Sequence, residues 1–172
     1  MAPHEVTNAE YVAFLNAAAR SAYYDLFNPA MAGSEGGIVR TGSEGSYVYS
    51  TVAGREKLPV NFVSYLDALR FINWLHNGQR SEIAVVHLGA YDLSAGSATT
   101  RSPQARFHLP DEDQWYKAAY YDASTSSYFD QATGADQLPT CAVPGAATQL
   151  ANCGDVVGDA TPVGSYLGSA SP

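Results

Sequence analysis

Positive charge is what this sequence has least of. Nine Lys and Arg stand against seventeen Asp and Glu, giving a formal charge of −8, and the nine are scattered singly along the chain. Nucleic acid and anionic membrane surfaces are bound through clustered Lys or Arg, so neither is expected as a partner. Charged residues of either sign make up only 15% of the chain, well below the roughly 25% of ordinary soluble domains. No apolar run approaches the ~18 residues that a membrane span requires. The opening residues, Met1-Ala2-Pro3-His4-Glu5, have neither the basic start nor the apolar centre of a signal peptide. Cysteine is scarce as well: Cys141 and Cys153 are the two, twelve positions apart. None of the four histidines is near them in sequence, so a metal site built on thiolates is not expected. A surface disulfide in an oxidising compartment and a pair of free thiols both remain open.

What is abundant is Gly, Pro and Tyr, at fifteen, nine and twelve residues. With 172 residues the chain reads as one domain, long enough to bury a core, and rich in loops and aromatics rather than bundled helices. Thr7 and Glu10 stand at capping-box spacing ahead of Tyr11, Phe14, Leu15 and Ala18, which recur at helical spacing. This predicts a helix from about Asn8 to Ala19. Asn28-Pro29 and Gly36-Gly37 are turn signals. Ile38-Val39-Arg40 and Tyr47 to Val52 favour strands joined as a hairpin through Thr41 to Gly45, read here as a surface excursion. Pro59 to Val63 is a brief strand or an extended entry to a helix capped by Ser64. That helix buries Ala68, Phe71, Ile72 and Leu75, with Leu69 and Trp74 at the margins, and stops at Asn77-Gly78.

Tyr91-Asp92-Leu93 and Phe107 to Leu109 read as short strands. Asp111 and Gln114 form a second capping-box pair, and three carboxylates in the first turn favour a helix start there. Trp115, Ala118 and Ala119 fall on one face, which suits a helix pressed against a neighbour. Beyond Asp122 the composition turns to Ser, Thr, Gly, Ala and Pro without periodicity, and Thr161 to Tyr166 is a last extended piece.

Three ordered segments resemble the sulfatase-modifying factor family, whose founding member is the formylglycine-generating enzyme. They are Glu5-Val6-Thr7-Asn8 with Tyr11 and Phe14; Pro59 to Ser64 with Asp67-Ala68 and Trp74-Leu75; and Leu109-Pro110 with Glu112, Trp115 and Ala118-Ala119. Thr161 to Ser165 follows in the family's order. The stretches around Gly36-Gly37 and Asn73 to Gln79 look like a branch common in exported bacterial proteins. The resemblance implies an α+β fold related to C-type lectins, with few helices, short strands and long ordered loops. It also implies a family activity, the oxidation of a cysteine in a client sulfatase to formylglycine with copper and oxygen. The family's paired active cysteines lie a few residues apart in an Arg-rich segment after a Gly-Asn-Val-Trp-Glu-Trp stretch. Neither is in this sequence, and Cys141 and Cys153 are too far apart and too early to stand for that pair. The expectation is therefore the N-terminal part of such a domain, without its catalytic half, leaving faces of Phe14, Phe71 and Trp115 uncovered. A non-catalytic lectin-like binding module for a client protein or peptide is the competing reading.

No residue is assigned a catalytic role. The resemblance further implies structural calcium, and Asn152, Asp155 and Asp159 are the positions that match; calcium requires six to eight oxygens, and a polar turn accounts for the same residues. His4, His76, His87 and His108 are expected in structural or surface roles. Asp111, Glu112 and Asp113 are explained by the helix start. Ser64 and Ser165 have no His and Asp in a triad pattern. Tyr23, Tyr24, Tyr120 and Tyr121 are read as half-buried packing, with sugar or peptide binding as the alternative.

Overall fold

In the computed structural model, which describes residues 1–21, 24–94 and 100–169, Thr7 caps the first helix as its spacing with Glu10 predicts. The Thr7 hydroxyl accepts from the Glu10 amide, and the Glu10 carboxylate accepts from the Thr7 amide at 2.8 Å. Helix α1 runs Asn8–Ala18. The hairpin strands β1 (Ile38–Thr41) and β2 (Val48–Thr51) pair antiparallel, with Arg40 opposite Tyr49. Helix α2 is Tyr65–His76 and helix α3 is Glu112–Tyr120, each with the N-cap read from the sequence, Ser64 and Asp111. Strands β3 (Tyr121–Asp122), β4 (Ser127–Tyr128), β5 (Thr140–Cys141) and β6 (Leu150–Ala151) are two residues each. Three helices and three two-stranded sheets among the described residues make the class α+β. Backbone contacts divide the chain into two compact units: Val6–Leu109, and Met1–Glu5 with Pro110–Pro172.

The Val6–Leu109 unit is built on aromatic packing. Phe14 on α1 meets Phe71 and Trp74 on α2 with ring centroids 5.4 and 5.5 Å apart, and Tyr11 stacks on Phe71 at 5.8 Å. Such pairs add about 0.5–1.5 kcal/mol beyond the area they bury. Phe14 and Phe71 are thus covered from within their own unit, contrary to the expectation that missing strands would leave them open. The hairpin is not a surface excursion either. Ile38 and Tyr49 are buried, and Asn16 grips the Tyr49 backbone from α1, donating to its carbonyl and accepting from its amide, both at 2.9 Å. Alternation along β1 and β2 gives the hairpin one inward side, which the short runs did not reveal by themselves.

The buried arc of α2 is displaced from its sequence pattern, with Ala68 and Leu75 half-buried. Leu69 and Trp74 are central rather than marginal. Trp74 and Phe71 face the α1 cluster, while Leu69 and Ile72 pack with Ala90, Tyr91 and Leu93 in a second one. A helix covered on two sides needs more than one apolar stripe. Gly36 and Gly37, read as a turn, are required for close approach instead. A Cβ on Gly36 would lie 1.9 Å from the Met31 carbonyl oxygen, and one on Gly37 2.1 Å from the buried Asn8 amide.

The strands expected at Tyr91–Leu93 and Phe107–Leu109 are absent, because side chains and a local turn, with the Leu93 amide on the His87 carbonyl at 2.7 Å, take the bonds a neighbouring strand would offer. The Tyr91 amide donates to Asn73 Oδ1, the Arg106 amide to His76 Nδ1, and the Leu109 amide to the Tyr91 hydroxyl, at 2.9–3.1 Å.

In the other unit α3 forms as read; Trp115 is 49% exposed, in line with the expectation of an uncovered face, and Ala119 is the buried residue of the helix. Its neighbours in this unit are two-residue strands and turns, too small to roof an indole. The rings meet each other instead: Tyr116 stacks on Tyr120 at 4.8 Å and on Tyr128 at 5.2 Å, with Trp115 edge-on to Tyr120 at 6.0 Å. Thr161–Tyr166 is a turn rather than an extended piece, closed by the Ser165 amide on the Pro162 carbonyl at 3.2 Å. Cys141 and Cys153 form a disulfide, which settles the open alternative. It ties the end of β5 to the residues just past β6, and closing a loop of this size contributes about 3 kcal/mol in the chain-entropy view.

Tyr11 supplies a test of the aromatic core. Its hydroxyl is buried and donates to the Leu26 carbonyl at 3.2 Å. Burial first, and the Asp67 carboxylate second, push its pKa well above the ordinary 10.0. Burial shifts Tyr49 the same way. A raised folded-state value means the stabilisation is complete below about pH 10 and is lost as pH rises further. Tyr11→Phe is expected to cost about 1 kcal/mol at neutral pH and to flatten the alkaline loss, read by urea melts between pH 7 and 11. An unchanged alkaline slope would show that the hydroxyl is not in this environment.

Candidate functional site

The residues singled out for metal binding lie just beyond the disulfide. The pairing of β5 with β6 is parallel, Thr140 opposite Leu150 and Cys141 opposite Ala151, so the chain leaves β6 directly into Asn152. The Asn152 side-chain amide donates to the Asp159 carbonyl at 2.9 Å, and Asp159 Oδ1 accepts from the Ala160 amide at 2.7 Å. Asp155 sits between them with a left-handed backbone, φ 55°. The structure therefore brings Asn152 and Asp159 together. Three side chains are part of the six to eight oxygens calcium takes, and the Asp159 carbonyl already serves Asn152. Of the three, Asn152 and Asp159 are the pair that the structure joins, and a pair falls short of that shell. Among the described residues no three His, Cys, Asp or Glu are gathered as a metal site.

The remaining candidates have structural tasks. Ser64 Oγ donates to Asp67 Oδ2 at 2.6 Å and accepts from the Asp67 amide, as an N-cap does. Ser165 Oγ donates to the Pro162 carbonyl. His76 closes α2 and accepts the Arg106 amide, and His87 is bonded to the Tyr24 hydroxyl. Tyr120 and Tyr121 are half-buried, and Tyr23 lies outside the described residues. Asp122 accepts from Ser124 and Thr125 in a tight turn, which holds its carboxyl below the usual range.

A concave feature that sequence reading missed lies in the Val6–Leu109 unit. It is a cleft of about 520 Å3 whose lining includes Asp25, Phe27, Arg40, Phe62, Ser64 and Asp67. Asp25 and Phe62 both have positive φ, 49° and 59°. Neither residue is glycine, and such backbone costs about 1–3 kcal/mol at each position. Arg40 spreads its guanidinium over the rings of Phe27 and Tyr47, 5.0 and 4.3 Å from their centroids. Asp67 is held by Arg70 Nη1 at 3.0 Å as well as by Ser64. Nothing in the letters Asp or Phe announces a left-handed backbone; the nearest signal was the turn at Asn28-Pro29, on the same cleft wall.

The family model of the sulfatase-modifying factor enzyme 1-like domain matches residues 1–170. The match takes in the segments around α1, α2 and α3 from which the resemblance was read. No curated protein and no solved structure matches the chain. With essentially every residue inside the matched region, the chain belongs to the sulfatase-modifying factor enzyme 1-like family.

Proposed function

We propose that residues 1–172 act as a formylglycine-generating enzyme-like domain of C-type lectin-like type whose role in this chain is scaffold rather than catalyst. The family chemistry oxidises a protein cysteine, and it depends on reactive thiols. The observation that carries the reading is the setting of the two cysteines present. Cys141 and Cys153 are bonded to each other, and no Lys, Arg or His occurs after Lys117. Reactive thiolates are made by cations, metals or helix N-termini close by. Here the surrounding sequence supplies Asp130, Asp136, Asp155 and Asp159 instead. The pair serves as a staple between β5 and β6, and no catalytic step is assigned to it or to a copper ion. A disulfide of this kind also favours an exported setting.

The second reading, a lectin-like module that binds a client protein or peptide, is favoured by the exposed rings of Trp115, Tyr116 and Tyr128. If calcium is bound, Asn152, Asp155 and Asp159 are the side chains that would hold it, with backbone carbonyls completing the shell. Its contribution would be to cross-link the loop after β6.

Two outcomes are expected. The chain incubated with copper, oxygen and a sulfatase-motif peptide yields no aldehyde by mass spectrometry; aldehyde product would overturn the scaffold reading. Titration with calcium raises the melting temperature and a chelator reverses the rise, whereas a melt indifferent to calcium removes the ion from the account.

A further inference from the structure

The cleft of the Val6–Leu109 unit is unused by the reading above, and its walls are chemically unlike one another. Asp67 is already satisfied by Ser64 and Arg70. Asp25 is exposed and has no ion-pair partner among the described residues. Arg40 is stacked on Phe27 and Tyr47 and also hydrogen-bonds the Tyr49 hydroxyl; stacking engages only the faces of a guanidinium, and its five N–H donors leave others for a carboxylate. Phe62 is 38% exposed on a left-handed backbone, an uncommon conformation for a bulky residue. Two of the six non-glycine residues with positive φ among those described thus line one cleft. Its volume, about 520 Å3, is in the range of small-molecule sites.

We propose that this cleft binds a zwitterionic, amino-acid-like ligand. The ammonium group is taken by the Asp25 carboxylate, the carboxylate by the Arg40 guanidinium, and the apolar side chain lies against Phe62. One unpaired negative group and one stacked positive group, with an exposed ring beside them, complement a molecule carrying both charges better than a cation or an anion. A simple cation would meet Arg40, and a simple anion would meet Asp25 and Asp67.

The test uses the intact chain and three probes that share a phenyl group: L-phenylalanine, phenethylamine and 3-phenylpropionate. Two-dimensional amide NMR is the readout. L-phenylalanine is expected to shift the resonances of Asp25, Arg40 and Phe62 saturably, and to bind about tenfold tighter than either singly charged probe. Asp25→Asn, a change that left-handed backbone tolerates, is expected to bring L-phenylalanine down to the level of 3-phenylpropionate. Arg40→Gln is expected to bring it down to that of phenethylamine. The spectra themselves report whether each variant is folded, and the wild-type ranking of the three probes stands without the variants. No saturable shift at these residues with about 10 mM L-phenylalanine, or equal binding of all three probes, would overturn the proposal.

Discussion

Asn73 does for this fold what a central strand does for others. Its side chain is fully buried on α2. It donates to the carbonyls of Val86 and Tyr91 and accepts from the Tyr91 amide, at 2.9–3.1 Å. One turn on, Asn77 donates to the carbonyls of Val85 and Leu88. Asn16 clasps the Tyr49 backbone from α1, and the Asn8 amide donates to the Arg55 carbonyl at 2.9 Å. A buried backbone group without a partner costs about 1–3 kcal/mol, and long loops carry many such groups. Carboxamides present a donor and an acceptor in the arrangement of a peptide; Asn16 and Asn73 use both, Asn8 and the α2 C-cap Asn77 donate, and together they replace the ladder that the loops never form.

The aromatic cluster and the asparagine clamps depend on one another. Tyr11, Phe14, Phe71 and Trp74 fix α1 against α2, and only a fixed helix surface can hold an amide in register with a loop carbonyl. The clamped loops in turn roof the second cluster, in which Ala90, Tyr91 and Leu93 cover Leu69 and Ile72. The residues beside Asp25 and Phe62 are held by other bonds, from the Tyr11 hydroxyl to the Leu26 carbonyl and from the Asn61 side-chain amide to the Glu35 carbonyl. The other unit relies on covalent and aromatic means: the Cys141–Cys153 disulfide and the stacked tyrosines on α3 and β4.

Much of this was legible in the sequence. Thr7 with Glu10, Ser64, and Asp111 with Gln114 mark helix starts because capping is local chemistry, confined to four residues. The ordered motifs pointed to the family, and the matched region bears them out. The failures share a physical cause. Asn77 was read as a helix stop and Asn73 was given no core role, because their partners lie eight to eighteen positions downstream. The β-favouring letters of Tyr91 to Leu93 and Phe107 to Leu109 predicted strands, yet strands need a partner strand, and the partners were side chains and the nearby His87 carbonyl. Trp115 was placed on an apolar helix face and expected to lie uncovered, and its exposed ring agrees, since a helical pattern records which face is apolar, not what covers it. The cleft went unseen because it depends on the sign of φ at an Asp and a Phe.

The clamp at Asn73 is the contact on which the loops of the Val6–Leu109 unit depend. Amide hydrogen exchange at Tyr91, compared between the native chain and Asn73→Ala together with a urea melt, tests it most directly. Removing the carboxamide strands one amide and two carbonyls, so protection at Tyr91 should collapse and stability should fall by about 3 kcal/mol or more. Native-like protection at Tyr91 in a variant that melts like the parent would mean that the loops are held by something else.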